Sequence, residues 1–229
     1  MRMAGAVTDP RLLWWVDRSA GLVALVLLTV VLALGVLATA RTRLLTWRVL
    51  AQGVHRELPL VAAVLLAVHI GTAVVDSFVP LSPLDVVVPF AAGYRPVWIG
   101  LGTLALDLLL VVVLTSLLRA RLGHRGWRAA HWSAYALWPL ALVHALGSGS
   151  DMHAATVHRT GLACLVVVVA AAGWRLVAGS APVVARLAGV VLLLLLLVAG
   201  ARWAAHGPLA PGWAKRAAAP VGTADTGPT

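Results

Sequence analysis

Two stretches of this chain carry side chains that could do chemistry in otherwise inert surroundings. His55–His69 reads HRELPLVAAVLLAVH, and His131–His144 reads HWSAYALWPLALVH. Each sets one histidine near the start of an apolar segment and a second one 14 or 13 residues further on. A bare ionisable side chain is costly in hydrocarbon unless it has a partner or a task. Neutral imidazole is a common metal ligand, and histidine is an axial ligand to haem iron. Two pairs on two segments therefore predict two haems stacked across a membrane. A single histidine in such a segment is more often a helix–helix hydrogen bond. Four in matched pairs shift the reading to haem ligation.

The spacing suits that arrangement. Fourteen helical residues rise about 21 Å, most of a ~30 Å hydrocarbon core. Fourteen steps of about 100° return to within ~40° of the starting face, so His55 and His69 point the same way. Thirteen steps leave His144 some ~140° from His131 on an ideal helix. A kink at Pro139, or haems approaching from different sides, would reconcile the second pair.

The elements that must position these residues are membrane helices. Hydrophobic residues make up 61% of the 229 and charged residues 11%, with mean hydropathy +0.95, far from an ordinary soluble composition. Six spans are expected, near 20–39, 54–75, 95–118, 130–147, 160–177 and 182–202. Together, residues 20–202 form an all-α six-helix transmembrane bundle with haems between the second and fourth helices. Residues 1–19, with Trp14 and Trp15, form an interfacial segment, and 203–229 a disordered tail. The first span is too long for a signal-peptide core and is expected to be retained. Pro59 marks a kink or a helix start in the second span. Residues 76–94, rich in proline yet apolar, suit a re-entrant or interface-hugging cap over one haem.

The net charge of +10 sits mostly in short loops, where it sets orientation rather than binding nucleic acid. The loops after spans one, three and five, with the adjoining span ends, hold 4, 4 and 2 arginines, and those after spans two and four hold one each, Arg95 and Arg159. The chain is thus expected in the plasma membrane with both termini outside, His55 and His131 at the cytoplasmic level and His69 and His144 at the outer level. The one cysteine, Cys164, excludes an internal disulfide and reads as packing.

The HX13H and HX12H pair, with DVVVPFAAGYRPVWIGLGTLALDLLLVVVLTSLLRARLG and WRAAHWSAYALWPLALVHALGSGSD, resembles the ferric reductase-like transmembrane domain family. That family includes the membrane half of NADPH oxidases and ferric reductases and the haem subunit of a bacterial periplasmic methionine sulfoxide reductase system. The likeness is to its stand-alone actinobacterial members and covers about 12–178. It implies two b-type haems and electron transfer across the membrane, with His55 and His131 on the inner haem and His69 and His144 on the outer one. The ligand helices here are the second and fourth, where NADPH oxidases use the third and fifth. No GxGxxG-bearing flavin or nicotinamide domain follows, so the donor is expected to be a separate flavoprotein or a quinol. The acceptor would lie outside the cytoplasm, either ferric iron or a redox protein.

Other residues have candidate roles. Arg56 and Arg128, beside the inner histidines, could neutralise haem propionates or act as orientation anchors. His153, His158 and Arg159 could meet propionates, a metal substrate or a docking partner, or be a solvated loop. Asp107, mid-span in the third helix, could relay protons or bond a hydroxyl such as that of Thr115. Asp76 ends the second span near the outer haem. Trp132, Tyr135 and Trp138 could pack on porphyrin. A haem-free transporter or scaffold, with histidines as polar glue, stays open as a different class, as does a haem-based sensor.

Overall fold

The structure is a computed structural model that describes residues 10–38, 45–76, 80–148, 155–178, 181–207 and 210–213. All regular structure among them is helical. The long helices are α1 (Pro10–Ala38), α2 (Leu45–Val75), α4 (Pro96–Leu117), α7 (Ala155–Ala178) and α8 (Val183–His206), with shorter α3 (Pro83–Val87), α5 (Arg119–His131) and α6 (Ala134–Ser148) between them. A hydrocarbon interior leaves no water for backbone groups, and a helix satisfies them within one segment. All five long helices are long and apolar enough to cross a membrane; α6, at 15 residues, is apolar but shorter. The chain is a multi-pass membrane protein.

The hub is α1. It packs against α2, α6 and α7, while α4 pairs with α5 and α6. Leu25 and Leu28 of α1, Ala62 of α2, Leu109 of α4, Leu137, Trp138 and Leu142 of α6 and Cys164 of α7 form one core. Lipid is as apolar as leucine, so close approach of small residues such as Ala24 and Ala62, both fully buried, holds the helices together. Trp138 donates its indole N–H to Thr29 Oγ1 at 2.8 Å, and Thr29 in turn donates to the Leu25 carbonyl at 2.7 Å. The outermost helix is α8, whose LLLLLL stretch has no buried residue.

Several expected boundaries change. α2 starts at Leu45 and runs through Pro59 without ending, so Pro59 is not a helix start, and Arg48 and Arg56 lie on the helix rather than in a loop. The second basic loop is the amphipathic helix α5, bent at Gly123 (φ 68°). The expected span 130–147 is two helices, α5 ending at His131 and α6 starting at Ala134. Arg95, counted above as an orientation charge, is 5% exposed and donates to the Gly147 and Ser148 carbonyls at 2.9 and 3.1 Å. It caps the end of α6, where cations suit the carbonyl-rich terminus. The expected interfacial segment 1–19 is helical from Pro10 onward, as part of α1. The expected disordered tail is helical to His206, and its Trp203 and Trp213 pack on Trp98, with ring centroids 5.8 and 5.1 Å away. Arg41, Arg43, His153 and residues 214–229 lie outside the described residues.

Candidate functional site

The four histidines meet in two pairs. His55 of α2 faces His131 at the end of α5, with ring centroids 6.1 Å apart and planes at 69°. His69 of α2 faces His144 of α6 at 6.3 Å and 80°. The rise of α2 separates the pairs by about 21 Å.

The expected mismatch of His131 and His144 is reduced at the α5–α6 junction, and Pro139, the expected kink, lies in the interior of α6. There Ser133, Tyr135 and Ala136 donate to the carbonyls three residues back, Ala130, Trp132 and Ser133, at 3.0–3.1 Å. Such 3₁₀ steps turn the chain about 120° each rather than 100°. Three of them recover about 60° of the ~140°, and both histidines face α2.

Three of the rings are seated in the same way. His55 Nδ1 donates to the Val31 carbonyl at 2.9 Å, His69 Nδ1 to the Asp17 carbonyl at 3.0 Å, and His144 Nδ1 to the Trp98 carbonyl at 2.8 Å. A carbonyl only accepts, so each Nδ1 carries the proton, and in the neutral ring Nε2 keeps its lone pair. Four residues after each of those carbonyls stands a glycine. A Cβ on Gly35 would lie 3.0 Å from the His55 ring, on Gly21 3.1 Å from His69, and on Gly102 2.5 Å from His144. A helical carbonyl points toward residue i+4, so a side chain there would obstruct an outside donor. The seats Val31/Gly35 and Asp17/Gly21 are 14 residues apart on α1, matching His55 and His69 on α2. The fourth ring, His131, is held differently. Trp127 stacks on it at 5.0 Å and 29°, with the Arg119 guanidinium 4.3 Å over Trp127. Its Nδ1 is buried with no hydrogen-bond partner among the described residues.

A cavity opens beside the His69–His144 pair. Leu28, Leu66, Leu109 and Leu137 wall its apolar part, and Asp17, Arg18, Asp76, Tyr94 and Ser148 its polar part. Leu81, Asp85 and Val86 close it from the 76–94 segment, which was expected to form a cap. There Ser82 donates from its N–H and Oγ to Asp85 at 2.8 and 3.0 Å, and Thr103 of α4 donates to the Asp85 carbonyl at 2.8 Å. The cap is thereby fixed to the helix that seats His144.

The other sequence candidates are placed as follows. Arg56 is 86% exposed and pairs with Glu57 at 3.3 Å, and Arg128 is exposed. His158 and Arg159 are exposed at the start of α7. Thr115 donates to the Val111 carbonyl at 2.6 Å rather than to Asp107. Of the three aromatics expected against a porphyrin, Trp138 is in the core between the pairs, while Trp132 and Tyr135 are exposed and pack on each other. The sequence reading missed Asp17, Trp127 and the three seat glycines. The repeated 14-residue interval of Gly21 and Gly35 was the signal available for two of them.

Each pair brings two imidazole rings face to edge at 6.1 and 6.3 Å. No group of three or more His, Cys, Asp or Glu that could hold an ion exists among the described residues. A tetrahedral zinc site, which needs at least three protein ligands, is therefore not built from these groups. The donor set suits a metal that arrives with its other ligands.

Comparison with known proteins gives one family match, to the model described as "Domain of unknown function (DUF8596)", over residues 12–151. That range holds both histidine pairs and all three glycine seats. No curated protein matches the chain. No solved structure matches it either.

Proposed function

The chain belongs to the DUF8596 family, and from the geometry of its two histidine pairs we propose that it is a di-haem b membrane cytochrome. In this reading His55 and His131 ligate one haem and His69 and His144 the other. The carrying observation is the pair geometry with its seated Nδ1 atoms. A metal–imidazole bond of about 2.0 Å plus about 1.15 Å from nitrogen to ring centre would allow two rings that share one iron to lie up to about 6.3 Å apart, against the 6.1 and 6.3 Å found. Edge-to-face rings in plain contact also fall at about 4.5–7 Å, so the distance alone does not decide. The seats do. They hold three rings by Nδ1 and leave Nε2 as the donor atom, the arrangement by which second-shell groups orient metal-bound histidine.

Haem would supply one-electron redox chemistry. The residues supply the rest. α2 carries both ligand levels and sets their spacing. α1 and α4 hold the rings in one tautomer. Trp127 covers His131. The 81–86 cap and the leucine walls limit water beside His69 and His144. The arginine-rich α5 lies at the His55–His131 end, and the positive-inside rule puts that end at the cytoplasm with both termini outside. Electrons would then enter from a flavoprotein or quinol and leave to an acceptor outside, ferric iron or a redox protein, which supports an oxidoreductase component of ferric reductase-like type.

Reconstitution tests this. Vesicles carrying the purified protein and loaded with ferricyanide are given dithionite outside, and ferricyanide bleaching is followed. Protein-dependent bleaching that is lost in His69→Ala and in His131→Ala is expected. Bleaching no faster than in protein-free vesicles would refute transmembrane electron transfer.

A further inference from the structure

The four rings are not equivalent. Among the described residues, His69 alone has a carboxylate at its Nδ1. Asp17 presents two oxygens to that nitrogen, its carbonyl at 3.0 Å and its side-chain Oδ1 at 2.7 Å. Oδ1 is buried, makes an ion-pair contact with Nδ1, and has no hydrogen-bond partner among the described residues. His55 and His144 have only the neutral Val31 and Trp98 carbonyls at the same atom, and His131 has none there. One turn after Asp17, Gly21 opens the approach for the ring, so α1 builds this contact from a carboxylate and a glycine four residues apart.

We propose that Asp17 is a potential-setting residue for the His69–His144 site, an assignment that rests on the di-haem reading above. A carboxylate against Nδ1–H draws the proton toward itself and raises the basicity of the ring as a ligand. A more basic, more negative ligand stabilises ferric over ferrous iron, so the haem held by His69 and His144 has the lower reduction potential of the two. The effect is local, since Asp17 contacts the ring of His69 directly and the other pair lies about 21 Å away along α2. The other charged side chains at this cavity are Arg18, Asp76 and Asp85; they act on the haem as a field, whereas Asp17 acts through the ligand atom. The functional consequence concerns the site that has this cavity beside it. A low-potential haem there is the stronger reductant toward an acceptor that reaches the polar part of the cavity.

Holoprotein in detergent is titrated redox-spectroscopically as wild type, Asp17→Asn, Asp17→Ala and Asp17→Glu. The main-chain carbonyl at position 17 remains in every variant, so the ring keeps its seat. Asn and Ala should each raise one midpoint and leave the other in place, by a tenfold change in the ferric/ferrous equilibrium, 59 mV for one electron. Glu should keep both midpoints near wild type. Midpoints unmoved in Asn and Ala, or both midpoints moved equally, would overturn the proposal. So would loss of one haem from both neutral variants with retention in Glu, because Asp17 would then hold the ring rather than tune it. Wild type without haem is a separate outcome, since it would remove the di-haem reading itself.

Discussion

Replacing Gly102 by alanine tests the seating of the histidines more sharply than replacing a histidine does. A Cβ at this position would lie 2.5 Å from Nδ1 and 2.6 Å from Cε1 of His144. Ordinary carbon contacts are about 3.5–4.0 Å, so the ring must retreat by about 1 Å. That retreat stretches the 2.8 Å bond from Nδ1 to the Trp98 carbonyl beyond hydrogen-bond range, forfeiting about 0.5–1.5 kcal/mol. It also displaces the donor nitrogen by a similar amount, half the length of a metal–imidazole bond of about 2.0 Å. Gly102→Ala should therefore lose the haem of the His69–His144 pair and keep the other. Gly35→Ala and Gly21→Ala, with contacts of 3.0 and 3.1 Å, require shifts of only a few tenths and should retain both haems with weakened binding. Gly71, two residues from His69, has open space where a Cβ would go. Gly71→Ala should bind two haems and gain up to about 0.8–1.0 kcal/mol of helix propensity. The assay is haem per protein by pyridine haemochrome, with thermal unfolding of each variant in detergent. The reasoning fails if Gly102→Ala keeps two haems with an unchanged spectrum, or if Gly71→Ala loses haem equally.

Three further outcomes follow from named contacts. Thr29→Val leaves the buried Trp138 indole N–H without its 2.8 Å acceptor and should cost about 1–3 kcal/mol; Thr29→Ser should restore most of it in thermal unfolding. Arg95→Ala removes the charged cap from the Gly147 and Ser148 carbonyls and should cost about 1.5–3 kcal/mol. Arg95→Lys should rescue it poorly, because one guanidinium group reaches both carbonyls as a planar fork; hydrogen exchange at the end of α6 reads both. Trp127→Ala unstacks His131, worth about 0.5–1.5 kcal/mol, and should alter the spectrum of the His55–His131 haem alone.

Helicity and the pairing of the histidines were legible because each follows from a strong local signal. Apolar runs of 20 or more residues leave few alternatives to membrane helices, and intervals of 14 and 13 residues set two levels on two segments. What could not be read is where a helix breaks phase. Trp132 and Ser133 carry no glycine or proline, so nothing in their types announces the 3₁₀ turn that rotates α6 against α5. RARLGHRGWRAAH read as a loop because its charges looked like orientation signals, yet arginine and alanine are good helix formers. Asp17 read as part of a polar flank, since its partner His69 lies 52 residues away and only the antiparallel packing of α1 on α2 joins them. The seat glycines were hidden for the same reason. A glycine in a membrane helix has several uses, and its role here depends on which carbonyl a distant ring approaches.

The measurement that bears most directly on the account is low-temperature EPR of the oxidised, purified protein, quantified against its haem content. Two imidazoles held with planes at 69° and 80° give low-spin ferric iron with a strongly anisotropic signal, unlike the rhombic signal of parallel rings. Two such centres per chain are expected, with His69→Ala and His131→Ala each removing a different one. A preparation from haem-replete cells with no haem, or with high-spin iron only, would contradict bis-histidine ligation at both pairs.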